Sequence, residues 1–449
     1  MNFFYLKNLS VFFFLSFITT LIFANPTAFV VGKLLPKWAP HYLDIDHLNE
    51  GGGNATFMIF PDGTTLLYDM GDAQTGYEKS SGLLQYSQEA NPKDTAYTWV
   101  ADFIKQVSPH PTLINYAVIS HFHFDHFGQW SANDPTFQAG GYKLTGITGL
   151  ASDIHINTLL DRSYPDYTHH GDISGNLNQY INNTSNEYAH LTALTMQNYQ
   201  HFVQYQVAKN GLIMQKFDVG SDEQIHLVYQ TESDFDVQNI IGDGVVWTGK
   251  QEGTYDFIDH ASKDQGSVKK ENDLSNGMRI DYGLFRYFTG GDMTGRNVEG
   301  DDVNNSAEAV AAPVIGKVDV ATMNHHGFDD AQSQVFIQAL RPQVWIQQNW
   351  AASQTSLPML LRMTDLHYYN YSRDLFALAY FKLNDLAIPA LGNPDHRQAA
   401  IQTYYKNTDG DVIVRVAPGG THFWVIMLST GSVRPIIKAV YGPYVSTKK

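Results

Sequence analysis

The sequence predicts an α/β protein built as one large domain. Apolar, strand-like runs recur from residue 55 to residue 427, several of them in hairpins, with helix-like segments between them and no linker. The chain has 449 residues, of which 43% are hydrophobic and 16% are charged. This composition is globular, and the length allows a large core. We therefore expect residues 25–449 to form a single domain.

The first half of the chain predicts strands and one clear helix. Two apolar runs around Pro61-Asp62-Gly63 predict a β-hairpin over residues 55–70. Residues 96–107 (AYTWVADFIKQV) have helical periodicity, and Pro109 ends the pattern. Further strands are predicted at residues 113–120, 153–161 and 224–230, and a polar helical insertion near residues 175–215.

The second half continues the alternation of strands and helices. A hairpin over residues 278–289 leads into Gly290-Gly291-Asp292, and the strand VDVATM ends at Asn324-His325-His326-Gly327. A C-terminal extension is predicted as a β-hairpin around Pro418-Gly419-Gly420. The remaining elements are a helix at residues 332–340, a strand at 344–348 and the hairpin strands at 411–416 and 422–427.

Charge and cysteine content narrow the function classes. The formal net charge is −16, and Lys and Arg together number only 29, so the chain lacks the basic footprint that nucleic-acid binding requires. A small-molecule substrate is the better expectation. There is no cysteine, which excludes disulfides, thiolate ligands and a cysteine nucleophile. A metal site must then use His, Asp or Glu.

The first 24 residues differ from the rest of the chain. Lys7 is followed by an apolar run at residues 9–23 (LSVFFFLSFITTLIF), which has the length of a signal peptide and is short for a membrane span. Ala24 offers a small residue for cleavage. We interpret residues 1–24 as a secretory signal peptide, with an uncleaved N-terminal anchor as the alternative. The mature protein is then expected in the periplasm or outside the cell, without a further membrane span.

Residues 120–128 (SHFHFDHFG) carry the strongest chemical signal. Alternate residues of an extended chain point the same way, so His121 and His123 can face one ion while the intervening phenylalanine packs elsewhere. If the chain then bends into a helix, Asp125 and His126 can face a second ion. Burying three histidines and an aspartate merely as core residues would require a partner for each of them. The pattern therefore predicts a metal site.

The order of a strand, H-x-H-x-D-H and a glycine resembles the metallo-β-lactamase superfamily. That resemblance implies a four-layer αββα sandwich and a hydrolase that uses divalent ions, with two Zn²⁺ expected and Mn²⁺ or Fe²⁺ as alternatives. It assigns His121 and His123 to one ion, and Asp125 and His126 to the other. Asp125 is also a catalytic candidate.

Three further segments resemble the superfamily in the same order along the chain. Asp69, at the end of the first hairpin, corresponds to an aspartate that orients a ligand from outside the coordination sphere. Asp292 corresponds to the bridging aspartate. The pair His325-His326 is similar to the final histidine motif; we favour His326 as the ligand and His325 as a general acid or phosphate contact, with the opposite assignment left open. The matching segments span roughly residues 43–350.

One ligand of the superfamily has no evident counterpart here. The resemblance calls for another histidine between the first motif and Asp292, but no histidine there sits at a clear strand end. His169-His170 is the conspicuous pair, with a solvated loop as its alternative, and His226 lies inside a predicted strand. The ligand stays unassigned, and a single-metal enzyme is an alternative. The histidines in this interval are His155, His169, His170, His190, His201, His226 and His260.

The expected function is a secreted metal-dependent hydrolase. The doubled His-His-Gly form is similar to a subgroup that includes phosphorylcholine esterases and the soluble domain of bacterial DNA-uptake channels, which favours phosphoester or phosphodiester bonds of small molecules. Lactones, β-lactams and other esters or amides are the alternative substrates. A non-catalytic binding protein that keeps the fold is the alternative of another class. The absence of further apolar spans argues against a membrane-embedded transport component.

Overall fold

Two large mixed β-sheets form the framework of the protein in the computed structural model. The structure describes residues 26–73, 95–167, 181–182, 184–232, 234–251, 253–258, 271–297, 300–366, 370, 372–379, 381, 404–429 and 434–447. The predicted signal peptide at residues 1–24 lies outside the described residues, as do His169, His170 and His260.

Sheet one has nine strands and combines antiparallel and parallel pairs. Its spatial order is β20-β19-β18-β1-β2-β3-β4-β7-β8, and β3, β4, β7 and β8 are mutually parallel. The strands are β1 (Leu43–Leu48), β2 (Ala55–Ile59), β3 (Thr65–Tyr68), β4 (Leu113–Val118), β7 (His155–Asp161), β8 (Ile213–Lys216), β18 (Val412–Val416), β19 (His422–Leu428) and β20 (Ile437–Val445).

Sheet two also has nine strands, in the order β11-β10-β9-β12-β13-β14-β15-β16-β17, and is parallel from β13 to β17. A separate hairpin pairs β5 (Thr136–Phe137) with β6 (Tyr142–Lys143). The strands of sheet two are β9 (Phe235–Gly242), β10 (Val245–Trp247), β11 (Thr254–Asp256), β12 (Gly277–Tyr282), β13 (Phe285–Thr289), β14 (Val320–Thr322), β15 (Val344–Gln347), β16 (Asp374–Ala377) and β17 (Tyr405–Thr408).

Seven α-helices lie within the described residues. Their bounds are α1 (Ala96–Val107), α2 (Phe124–Phe127), α3 (Gly146–Leu150), α4 (Glu187–Lys209), α5 (Ala307–Ile315), α6 (Gln334–Leu340) and α7 (Leu357–Thr364). Among the described residues, no helix combines the length and apolarity needed to cross a bilayer.

Three large apolar clusters form most of the core. Strand alternation sends Phe57 into a cluster with α1, α3 and α4, whereas its neighbour Met58 enters a cluster shared by the facing surfaces of the two sheets. The third cluster packs α5, α6 and α7 on sheet two, with Trp345 fully buried at its centre. Both faces of each sheet are thus covered, which explains why the strands are apolar on both sides.

The α/β prediction and most predicted elements are confirmed. Helix α1 has the predicted bounds, because Thr95 and Thr98 form a capping box before it and Ser108 follows its last residue. The predicted hairpins are present as the antiparallel pairs β2–β3, β12–β13 and β18–β19. Strand β18 also pairs with β1, so the C-terminal hairpin lies inside sheet one.

The strand predicted at residues 224–230 is wrong. This segment forms bends, and its backbone N–H groups find acceptors other than a neighbouring strand. The Val228 N–H donates to Thr64 Oγ1 at 2.7 Å, and the Tyr229 N–H donates to Asp62 Oδ2 at 2.7 Å. The hairpin turn thus satisfies the groups that a sheet ladder would otherwise pair. His226 is exposed as a result.

The carboxyl ends of the parallel strands meet at one edge of the two sheets. The chain leaves β3 at Asp69, β4 at Ile119, β13 at Gly290 and β14 at Met323, and the motifs identified in the sequence lie at or just after these exits. Ligand sites of α/β proteins form at this end of the strands, because the loops that follow them converge there.

Candidate metal centre

The first motif occupies the exit from β4 and the short helix α2. The chain is extended at His123, which precedes α2, so Asp125 and His126 enter the first helical turn as the sequence predicts. His121 and His126 are fully buried, and Asp125 is 8% exposed. The motif is thus an internal part of the protein rather than a surface loop.

Two glycines allow the motif to sit this deeply. A side chain at Gly53 or at Gly71 would place its first carbon 2.1 Å from the carbonyl oxygen of Asp125, a distance that no real contact has. The Asn54 N–H donates to the same carbonyl at 2.8 Å. Close backbone packing therefore fixes the position of Asp125 from beneath.

The remaining motif residues come from sheet two. Asp292 follows β13, and its N–H donates to Ser275 Oγ at 3.0 Å. His325 and His326 follow β14 in a turn where both have left-handed backbone angles, with φ of 47° and 54°. The two imidazoles leave this turn in different directions, so only His326 is buried.

Four side chains form a buried cluster that we call the four-donor group: Asp125, His126, Asp292 and His326. One ligand atom from each lies within 4.8 Å of the other three. His326 Nε2 is 2.8 Å from Asp125 Oδ2, and His126 Nε2 is 3.1 Å from Asp292 Oδ1. All four side chains are buried. These nitrogen and oxygen donors suit zinc or a similar divalent ion.

A second cluster, the three-donor group, contains His121, His123 and Asp292. His121 Nε2 lies 3.7 Å from Asp292 Oδ2 and 3.1 Å from His123 Nδ1, with which it forms a hydrogen bond. His123 is only partly buried. Asp292 therefore faces both groups, since its Oδ2 lies 3.4 Å from His326 Nε2 as well as 3.7 Å from His121 Nε2.

The outer nitrogens of the four-donor histidines are held by acceptors. His126 Nδ1 lies 2.8 Å from Asp69 Oδ2, and His326 Nδ1 lies 2.9 Å from the carbonyl oxygen of Gln348. Since carboxylates and carbonyls accept, each Nδ1 carries the proton. In the neutral tautomer each Nε2 then presents a lone pair to the centre of the group, as metal-binding histidines do.

Three of these inward atoms have no hydrogen-bond partner: His126 Nε2, His326 Nε2 and Asp292 Oδ1. They approach carboxylates or imidazoles without hydrogen-bond geometry. Leaving a buried polar atom unsatisfied costs about 1–3 kcal/mol, so three in one place need an explanation. A cation at their centre would bind all of them, so the residues present fit a divalent ion.

Burial and charge shift the four-donor pKa values in opposite directions. Burial opposes every charge here, but the ion pairs outweigh it. Asp292 and Asp125 raise the pKa of His326 to about 10 and hold that of His126 well above its ordinary value. The imidazoles in turn hold the pKa values of both carboxyls below their usual range. Two imidazoliums thus balance two carboxylates, and a divalent ion can replace both protons at the same net charge.

His121 behaves differently from the four-donor histidines. Burial lowers its pKa well below the ordinary value, and the positive charge of His126 adds to this effect. Its Nδ1 contacts Ser120 Oγ at 3.0 Å, and that hydroxyl also donates to Asp69 Oδ2 at 2.8 Å. His121 is therefore a neutral imidazole supported through Ser120.

His325 lies beside the four-donor group and not within it. Its Nε2 is 3.9 Å from Asp292 Oδ2, its Nδ1 is 2.6 Å from Asp330 Oδ1, and its side chain is 22% exposed. Burial disfavours the imidazolium, but Asp330 and Asp292 outweigh this and raise the pKa of His325. Such a histidine can carry a proton at the edge of the site.

Three of the nine described non-glycine residues with a positive φ lie at this edge of the sheets. Asp69, His325 and His326 all have left-handed angles, which cost a residue with a side chain about 1–2 kcal/mol each. Strained residues of this kind cluster at functional sites, where surrounding contacts hold them in place. The strained residues are thus Asp69, which orients His126, and the adjacent pair His325-His326.

None of the other described histidines of the interval joins either group. His155, His201 and His226 are exposed, and His190 is partly buried elsewhere. At the exit of β7, where the next parallel strand reaches the same edge, the residue is Arg162. Within the described residues, the three-donor group therefore has no third histidine.

Several residues at the site gave no signal in the sequence. Trp350 Nε1 donates to Asp125 Oδ2 at 3.1 Å, and Gln348 holds His326 through its backbone. Glu50 is a buried carboxyl whose pKa is raised well above its ordinary value by burial and by the charges of Asp72 and Asp125. Only Ser120 had a local cue, because it directly precedes the motif at a strand end.

The comparisons with known proteins add little. No protein-family model matches the chain, and no curated protein matches it. Among solved structures, the chain is similar to the crystal structure of a protein of unknown function from Enterococcus faecalis V583, with 8% identity and a TM-score of 0.28 over 82% of this chain and 77% of the other. A likeness this weak carries no argument. What stands is a mixed α/β protein with buried His/Asp groups that can hold a metal ion.

Proposed function

We propose that the protein is a secreted metal-dependent hydrolase of the metallo-β-lactamase superfamily. The observation that carries the proposal is the four-donor group, in which the inward atoms of His126, His326 and Asp292 converge in a buried space without partners in hydrogen-bond geometry. The sequence motif and this convergence are independent, since the motif is local and the convergence joins two sheets. The proposal includes the four-layer αββα sandwich, supported by helices on the outer face of each sheet.

The proposed cofactor is a pair of Zn²⁺ ions, with Mn²⁺ or Fe²⁺ as alternatives. The four-donor group would hold one ion, and His121 and His123 would hold the other with Asp292 between them. When bound, such ions supply a hydrolytic nucleophile at neutral pH and offset negative charge in the transition state. Asp292 would tie the two positions together because its Oδ2 faces His121 of the three-donor group as well as His326 of the four-donor group.

Protein groups around the site would hold its geometry during turnover. Asp69 and the Gln348 carbonyl fix the rotation of His126 and His326, and Trp350 holds Asp125 through its indole N–H. Outer partners of this kind raise ligand basicity and keep the ligands from rotating. This is the role that the resemblance to the superfamily implies for Asp69.

His325 is the proposed general acid. It is partly exposed, lies 3.9 Å from Asp292 and is paired with Asp330, which keeps a proton available at the side where a leaving group would depart. His325→Gln should lower kcat by about 10²–10⁴-fold, the range for loss of a general acid, and should leave the bound metal unchanged. A variant that loses its metal would instead identify His325 as a ligand.

The proposed substrates are phosphoesters or phosphodiesters of small molecules, on the His-His-Gly resemblance. Lactones, β-lactams and other esters or amides are the second choice. The net charge of −16 disfavours nucleic acids. Secretion rests on the apolar segment at residues 9–23, which lies outside the described residues.

The test uses the chain from residue 25 onward. Bound metals are counted by elemental analysis, and bis-aryl phosphate, phosphorylcholine ester, lactone and cephalosporin reporters are assayed with wild type and Asp125→Asn. We expect wild type to bind metal and to hydrolyse the phosphodiester, and Asp125→Asn to lose the four-donor ion and the hydrolysis. Asp319→Asn is the matched control, because Asp319 is equally buried but bonds to Thr447 far from the site.

The outcomes separate the alternatives. Hydrolysis of a lactone or cephalosporin alone keeps the enzyme and replaces its substrate class. Metal binding without any hydrolysis, together with tight binding of a small molecule, would favour a non-catalytic binding protein. A folded protein that binds no metal would refute the proposal.

A further inference from the structure

A buried arginine lies directly beside the His121-Phe122-His123 segment. Arg162 follows the last residue of β7 and is 1% exposed. Its Nε and Nη2 donate to the two oxygens of Glu271 at 2.7 and 2.8 Å, a bidentate pair. Its Nη1 donates to Asp243 Oδ1 at 3.1 Å. The guanidinium is thus anchored on two sides.

Glu271 connects this arginine to the metal motif. The Phe122 N–H lies between the end of β4 and the start of α2, and it donates to Glu271 Oε1 at 2.9 Å. The guanidinium carbon of Arg162 also lies 4.8 Å from the centre of the Phe122 ring. Phe122 is therefore held at its backbone by Glu271 and at its ring by Arg162.

We propose that Arg162 and Glu271 are positioning residues that set the metal affinity of the three-donor group. The inference rests on the proposed metal-dependent function. His121 and His123 flank Phe122, so the direction of their imidazoles depends on how the Phe122 peptide is held. Neither positioning residue joins the donor groups themselves.

The charged side chains around Arg162 hold one another in place. Asp243 also accepts from Lys216 Nζ at 2.7 Å, so two cations and two carboxylates alternate in space from Lys216 to Glu271. A planar guanidinium matches a carboxylate with two parallel hydrogen bonds, which an ammonium cannot do. Arg162→Lys should therefore loosen Glu271 while keeping the charge.

The chain offers a matched control in Arg415. This arginine is also 1% exposed, and its Nε and Nη2 donate to the two oxygens of Asp44 at 2.8 and 2.6 Å. It lies on β18 of the same sheet, and neither it nor Asp44 belongs to a donor group. Arg415→Lys thus removes the same kind of buried pair without touching the metal motif.

The experiment titrates Zn²⁺ into metal-free wild type, Arg162→Lys, Glu271→Gln and Arg415→Lys against a chromophoric chelator, and records thermal unfolding of each. For Arg162→Lys we expect the tighter site to be unchanged and the weaker site to lose about 10–100-fold in affinity, the usual effect of losing an outer partner. Glu271→Gln keeps an oxygen for the Phe122 N–H, so its loss should be smaller. Arg415→Lys should keep both affinities.

Equal affinities in Arg162→Lys and Arg415→Lys would overturn the inference and leave the proposed function intact. Wild type that binds no zinc would instead refute the proposed function. If Arg162→Lys does not fold, the double variant Arg162→Met/Glu271→Met removes both charges together, and the same selective loss is expected of it. Unchanged zinc affinity in that folded double variant would also overturn the inference.

Discussion

The two donor groups share Asp292 but differ in readiness for a cation. In the four-donor group every side chain is buried, and the inward atoms of His126 and His326 have no hydrogen-bond partner. In the three-donor group His123 is partly exposed, and it is hydrogen-bonded to His121 at 3.1 Å. An ion entering the three-donor group must first separate that pair.

Ligands that lie close together are thus not necessarily oriented to bind an ion. The four-donor histidines are held from outside by Asp69 and by Gln348, so their Nε2 atoms point inward before any ion arrives. His121 is also held from outside, by Ser120, but its inward Nε2 is hydrogen-bonded to His123. We expect the four-donor group to bind its ion more tightly, and the following experiments test that ranking.

Loss of the shared carboxylate should have the largest effect. Asp292 faces both groups, so Asp292→Asn should weaken both ions by more than the ~10–100-fold that loss of an outer partner causes, and should abolish hydrolysis. Elemental analysis after dialysis measures this. Asp281→Asn is the control, because Asp281 is buried in an ion pair with Arg279 on β12. Retention of one ion at full affinity in Asp292→Asn would show that Asp292 serves one group alone.

Loss of His123 should separate the two groups. His123→Ala removes a ligand from the three-donor group only, so one ion should be lost while the tighter ion stays. Competition titration with zinc resolves the two steps. If His123→Ala weakens the tighter ion instead, the ranking of the two groups is reversed.

The pH should affect the zinc affinities of the two donor groups unequally. Without metal, His326 with a pKa of about 10 and His126 with a raised pKa hold protons that an ion must displace. Raising the pH from 6 to 8 should therefore tighten the four-donor ion by about tenfold per pH unit for each proton released. The pKa of His121 is lowered by burial, so it has no proton to displace in this range. Zinc titrations across this range test the contrast, and equal pH slopes for both ions would contradict it.

The smallest expected effect on zinc affinity comes from replacing Asp69, which holds the outer nitrogen of His126. In Asp69→Asn the amide group faces His126 Nδ1 with a donor or a weaker acceptor, so the ring loses its fixed tautomer. The four-donor ion should bind about 10–100-fold more weakly, and the three-donor ion should change less. Zinc titration with Asp319→Asn as control measures this. An unchanged four-donor affinity would show that Ser120, whose Oγ lies 3.1 Å from His126 Nδ1, suffices to orient His126.

Local sequence patterns predicted most helices and strands because the residues that form and end these elements lie close together in the chain. The capping box at Thr95 and the proline after α1 bound that helix without help from the rest of the chain. The segment at residues 224–230 has an equally strand-like pattern, but Asp62 and Thr64 take its backbone N–H groups. Whether such a segment pairs depends on what lies beside it, which a local pattern does not contain.

The residues of the site likewise include some that local sequence patterns could predict and some that they could not. Extended chain followed by a helix start explains why His121 to His126 can act together, and this is readable in the sequence. The choice between His325 and His326 is not, because it follows from two successive left-handed residues after β14. The role of Arg162 could not be predicted from the sequence either, because it depends on Glu271, which is 109 positions away.

The types of donor can be read from the amino-acid sequence: histidine and aspartate side chains, no thiolates, and a net charge of −16. Which of these donors meet depends on the tertiary structure. Asp292 and His326 come from sheet two and reach Asp125 and His126 because the apolar faces of both sheets pack together. Sequence periodicity reports contacts over a few residues, whereas the convergence of these four side chains depends on the burial of entire sheets.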